Sequence, residues 1–147
     1  MHKVKIILSV SLLIIGLISV RVFESYLFYD PFNSYFKNNF QNLSIPDFNV
    51  LKFILSLTLR FLINLIISLS IIWVLFKTKS YIKATLWVNL TFYILLLTGF
   101  IIFSQFDSNW IKMLLFYIRR FLIHPILLLI LVPGFYFTTF TKNDNKI

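Results

Sequence analysis

No cysteine occurs among the 147 residues, which excludes disulfides, thiolate metal sites and every cysteine-nucleophile mechanism. Histidine appears twice, and His2 and His124 are too few and too far apart for a histidine metal centre. Glycine appears three times. The chain contains no glycine-rich phosphate loop, no His-Glu-x-x-His and no Gly-x-Ser-x-Gly, the signatures of three large enzyme classes. Acidic residues are scarce: five Asp and Glu stand against fourteen Lys and Arg, a net charge of +9. Alanine occurs only at Ala84, a skew that reads as genome composition. What is present is apolar: 59% of residues are hydrophobic and 13% charged, with a mean hydropathy of +0.88. A soluble domain of this size has no interior large enough for that load, whereas four membrane helices of about 20 residues absorb it. Long unbroken apolar runs exclude the alternating pattern of an outer-membrane barrel, and the same composition excludes disorder.

These runs predict an all-α integral membrane protein, a four-helix transmembrane bundle forming a single domain over 1–147. The helices are expected near 5–23, 51–76, 84–104 and 117–139. The first follows a basic start, Lys3 and Lys5, as a signal peptide would. Its exit, Leu17-Ile18-Ser19-Val20-Arg21, lacks the small-x-small site that cleavage needs, so an uncleaved span is expected. Ser44-Ile45-Pro46-Asp47 reads as the opening of the second helix, with Ser44 as cap and Pro46 in the first turn. The fourth run is longer than a span requires, and Pro125 and Pro133-Gly134 are expected to bend it, freeing the carbonyls of Phe121 and Leu129. An even number of spans puts both termini on one side. The first helix and the lysines at 77, 79 and 83 assign that side to the cytoplasm of an inner membrane. Basic residues flanking apolar runs make membrane lipids, not nucleic acid, the expected partner.

The segment 21–50 carries more information than any other. Asp30-Pro31 reads as a helix cap followed by proline at the first helical position. Beyond it Phe32, Tyr35, Phe36 and Phe40 form one apolar stripe, which predicts a short amphipathic helix near 31–40 lying on the bilayer surface; a loop anchored by aromatic rings remains the alternative. Tyr26, Phe28 and Tyr29 precede it and extend the aromatic surface.

Within the second run, Ser56, Arg60, Asn64 and Ser68 recur every four residues and so share one helix face. An arginine at this depth costs roughly 2.5–3.5 kcal/mol unless paired or able to snorkel. Partners in the same leaflet are Glu24, Asp30 and the set Arg119, Arg120 and His124, with Arg21 nearby. Glu24 is the first expected partner of Arg60. Three readings stay open for this cluster: ion pairs that lock helices together, binding of an anionic headgroup or carboxylate, and acid–base chemistry by Glu24 or His124. No nucleophile–base–orienter set accompanies them, so no catalytic residue is assigned. No metal or cofactor is expected.

Arg21-Val22-Phe23-Glu24 and Leu27-Phe28-Tyr29-Asp30-Pro31-Phe32 resemble the opening signature of the exosortase F system-associated membrane proteins. Arg60-Phe61-Leu62-Ile63-Asn64, Arg119-Arg120-Phe121-Leu122-Ile123-His124-Pro125 and Pro133-Gly134-Phe135-Tyr136-Phe137 are similar to later parts of that family, and the likeness spans essentially the whole chain. The resemblance implies a small inner-membrane protein of Gram-negative bacteria, neighbour to a membrane transpeptidase that processes carboxy-terminal sorting signals. That enzyme class relies on a cysteine with an arginine and a histidine. A chain without cysteine cannot be the enzyme, and the implied role is an accessory one, by contact with the exosortase or its substrate. The alternative is a small membrane enzyme or carrier that handles an anionic lipid or peptide through the Arg/Glu/His cluster.

Overall fold

A computed structural model describes residues 2–38 and 40–144. The terminal Asn145 and Lys146, assigned from sequence to the cytoplasmic side, lie outside the described residues. Helix is the only regular structure among the described residues: α1 (His2–Val22), α2 (Glu24–Leu27), α3 (Pro31–Lys37), a 3-10 turn at Phe40–Asn42, α4 (Val50–Phe76), α5 (Lys79–Phe103), α6 (Asn109–Ile123) and α7 (Ile126–Asp144). Three helices, α1, α4 and α5, are long and apolar enough to cross a membrane, and α6 with α7 makes a fourth if the bent pair is one span. The protein is an all-α membrane protein.

The helix α4 is the spine: α1, α5 and α6 each pack against it, and α5 also packs on α6 and α7. Helix α4 starts at Val50, one residue from the expected 51, but its cap is not the expected one. Ser44 and Pro46 do not open the helix; residues 43–49 stay outside it, and Asn49 is the cap, its side chain accepting from the Lys52 amide at 3.1 Å. Packing explains the shift. Ile45 and Phe48 are drawn onto the core, with the Phe48 ring 4.9 Å from Phe32, so this segment runs across the bundle end and cannot coil into α4. At the other end α4 stops at Lys77, a non-glycine residue in the left-handed region (φ 50°, ψ 27°) whose amide donates to Trp73 O at 3.0 Å. Only Lys77 and Thr78 separate α4 from α5, a short link that makes the two helices antiparallel neighbours.

Residues 117–139, expected as one bent helix, fall into two. The axes of α6 and α7 differ by 58° across His124 and Pro125, because proline has no amide to donate to the Phe121 carbonyl and its ring clashes there. Pro133 lies inside α7 without ending it.

The largest departure concerns α3. Its stripe was expected to rest on lipid. Phe32 is instead fully buried (0% exposed), with Tyr35 and Phe36 close behind. Phe32 packs on Phe53 of α4 and Phe100 of α5, at 5.3 and 5.1 Å between ring centres, and Phe36 meets Phe116 of α6 at 5.4 Å. An aromatic well formed by three helix ends buries more apolar area than a flat lipid interface, so the helix turns its rings into the protein. The Tyr35 hydroxyl donates to the carbonyls of Phe40 and Leu43, both at 3.1 Å, which fixes the following turn. Burial raises the pKa of Tyr35; nearby Lys112 opposes the rise and Asp107 adds to it.

Candidate functional site: a buried arginine–carboxylate cluster

The polar stripe of α4 faces inward. Ser56, Arg60, Asn64 and Ser68 are all buried, Arg60 to 3% exposure. Arg60 Nη1 lies 3.4 Å from Asp30 Oδ2 and 3.8 Å from Glu24 Oε2. Arg119 grips the same carboxylate with two nitrogens, Nη2 at 2.6 Å from Oδ2 and Nε at 3.2 Å from Oδ1, the fork geometry that makes arginine–carboxylate pairs strong. Asp30 thus joins α4 to α6. This reverses the expected ranking, in which Glu24 came first and Asp30 was secondary: α3 folds back over the bundle and carries Asp30 onto both guanidiniums. Asp30 does occupy the cap position of α3 with Pro31 next to it, yet its side chain makes no capping hydrogen bond, since the arginines hold it. Aromatic faces complete the enclosure. The Arg60 guanidinium sits 4.7 Å from the centre of the Phe28 ring, and that of Arg119 5.9 Å from Phe36, cation–π distances in both cases.

A second group gathers at the α6–α7 break. Arg21 Nη1 approaches the His124 ring, 2.6 Å from Nδ1 and 3.0 Å from Nε2; a neutral imidazole has one acceptor nitrogen, and the guanidinium donates to it. Asn64 Nδ2 donates to the Ile123 carbonyl at 2.9 Å, so a side chain from α4 satisfies a carbonyl at the broken helix end. Arg120 is exposed, and neither it nor Arg21 has a carboxylate within 4 Å among the described residues. Four arginines therefore face two acids, Glu24 and Asp30.

The seven aromatics singled out from sequence divide sharply, with Phe40 partly buried against the core. Phe32, Tyr35 and Phe36 are core; Phe28 is half-buried beneath Arg60. Tyr26 is 89% exposed and Tyr29 is exposed too, as are Phe23 and Leu27 beside them. Sequence reasoning passed over the buried Lys112, whose ammonium lies 2.7 Å from Asp107; the signal available was a lysine one turn inside a helix that begins beside an aspartate. Among the described residues no group of three or more His, Asp and Glu side chains is placed to hold a metal ion.

Compared with family models, with curated proteins and with solved structures, the chain matches none.

Proposed function

We propose that this protein is a non-catalytic accessory protein of an exosortase-type sorting system, working by contact with the exosortase or its substrate. In this reading α6 and α7 form a broken fourth span, both termini lie in the cytoplasm of an inner membrane, and α2, α3 and the arginine cluster lie at the outer surface. Run lengths and the lysines of the α4–α5 turn support that orientation. A cysteine introduced at Ser34 is expected to react with an impermeant thiol reagent in intact spheroplasts, and one at Ser80 to stay unreacted. The opposite labelling inverts the topology.

The observation that carries the contact reading is the exposed ridge of Phe23, Tyr26, Leu27 and Tyr29. It surrounds α2, the four-residue turn directly beyond α1. The neighbouring aromatics are consumed by the core, while this ridge projects from a base fixed by Asp30, Arg60 and Arg119. Tyrosines on a rigid support suit a protein contact, because two-torsion rings lose little entropy on binding. Changing Tyr26 and Tyr29 together to Ser is expected to leave the folded yield unchanged and to impair processing of an exosortase substrate in cells. Normal processing by the stable double variant overturns the reading. Tyr35 is unsuitable for this test, because its hydroxyl and ring hold the core.

A further inference from the structure

Two spaces meet at His124. One is a chamber of about 160 Å³ walled by Leu17, Arg21, Glu24, Arg60, Asn64 and His124, among others. The other is a groove of about 640 Å³ between α1, α4 and α7. Leu17, Arg21, His124 and Pro125 belong to both walls, so the two adjoin. The groove is apolar along its length, with Ile14 of α1, Ile71 and Leu75 of α4, and Leu129 and Val132 of α7 in its sides; its only charged wall residues are Arg21 and Arg120, beside His124.

We propose that this groove binds one anionic phospholipid, its phosphate against Arg21, Arg120 and His124 and an acyl chain running down between α1 and α7. Charge complementarity selects the occupant. Asp30 and Glu24 face Arg60 and Arg119, which leaves Arg21 and Arg120, among the described residues, without a carboxylate within 4 Å at the polar end of an apolar groove. Both side chains are exposed at the rim of the groove, where a phosphate diester supplies a matching charge to their guanidinium donors. Arg60 Nε is a buried donor without a hydrogen-bond partner in a residue that walls the adjoining chamber, so the interior is also short of acceptors. The His124 ring, held by Arg21 through its nitrogens, lies in the same wall. The Glu24 carboxylate in the chamber repels an anion, which holds the phosphate at the mouth, between Arg21 and Arg120. Dimensions agree. From Arg21 down to Val10 the α1 wall covers about 16 Å at 1.5 Å per residue, close to half of the roughly 30 Å hydrocarbon core and so to the depth of one acyl chain. Leu129 and Ile14 are exposed, which leaves the groove open sideways to the bilayer that supplies the lipid.

The site is independent of the contact reading, since neither Tyr26 nor Tyr29 lines it. The test is native mass spectrometry of the full chain released from nanodiscs of equimolar phosphatidylglycerol and phosphatidylcholine. The wild type is expected to retain one phospholipid, enriched in phosphatidylglycerol by about fivefold for each guanidinium, the effect of a cation next to anionic lipid. Arg21→Gln with Arg120→Gln is expected to retain the two lipids equally, with an unchanged melting midpoint in phosphatidylcholine nanodiscs. Leu129→Trp, which fills the groove, is expected to lower retention of both lipids, and Lys83→Gln, on the distant α4–α5 side, to change neither. Equal retention of the two lipids by the wild type, or a preference that survives the double arginine change, overturns the proposal.

Discussion

Replacing Asp30 by Asn is expected to destabilise the protein by about 3–5 kcal/mol, the usual consequence of removing one member of a buried ion pair. The carboxylate is shared by Arg60 and Arg119, and the substitution leaves both guanidiniums enclosed with only Glu24, at 3.8 Å from Arg60, as an acidic neighbour. The cost lies less in the lost attraction than in the two cations left behind. Arg119→Leu combined with Asp30→Asn is therefore expected to be less destabilising than the two single changes added together, because the double variant strands one cation instead of two. Reversible unfolding in mixed micelles, followed by tryptophan fluorescence, measures each corner of that cycle. Strict additivity would show that Arg119 and Asp30 do not act on each other. Glu24→Gln is expected to cost much less than Asp30→Asn, since Glu24 is a quarter exposed and more distant; the reverse order would restore Glu24 as the main partner of Arg60.

Phe32→Ala carries the second large effect, about 3–5 kcal/mol for deletion of a buried aromatic ring. Phe32 has no solvent exposure and touches Tyr35, Phe36, Phe48, Phe53 and Phe100, so its removal opens the cavity at which α3, α4 and α5 meet. The loss is expected to be visible locally as well. Amides of residues 32–37 exchange faster with deuterium when α3 no longer has a ring to seat it in the bundle. Were α3 a helix that merely rested on lipid, Phe32→Ala would change its exchange without lowering the unfolding free energy of the bundle. The same substitution at Tyr26 is expected to stay within about 0.5 kcal/mol of wild type, as for an exposed side chain that packs on nothing.

Both predictions concern residues whose importance the sequence announced and whose role it did not. Hydropathy located α1, α4 and α5 to within a few residues, since run length in an apolar solvent follows from helix rise alone. The four-residue spacing of Ser56, Arg60, Asn64 and Ser68 likewise determined that these side chains share a face, as helix geometry requires wherever the helix lies. Asp30-Pro31 marked the start of α3, and Pro125 marked the break between α6 and α7, because proline acts on its own backbone neighbours.

Which surfaces those faces meet was a tertiary matter. An aromatic stripe is equally suited to lipid and to a ring-lined well, and only the approach of Phe53, Phe100 and Phe116 from three other helices decided that Phe32 and Phe36 are core. Ser44 and Pro46 carried helix-opening chemistry that lost to the packing of Ile45 and Phe48. The choice of Asp30 over Glu24 as the chief acid also came from the path of the chain between α2 and α4, which no local pattern encodes. By itself the sequence determined what each helix is and which residues its faces carry, because those properties follow from bonds and spacings within a few residues. The tertiary structure decided which polar groups are paired, which aromatics stay exposed and where, among the described residues, two arginines are left without a carboxylate, because those depend on contacts between residues as far apart as Asp30 and Arg119.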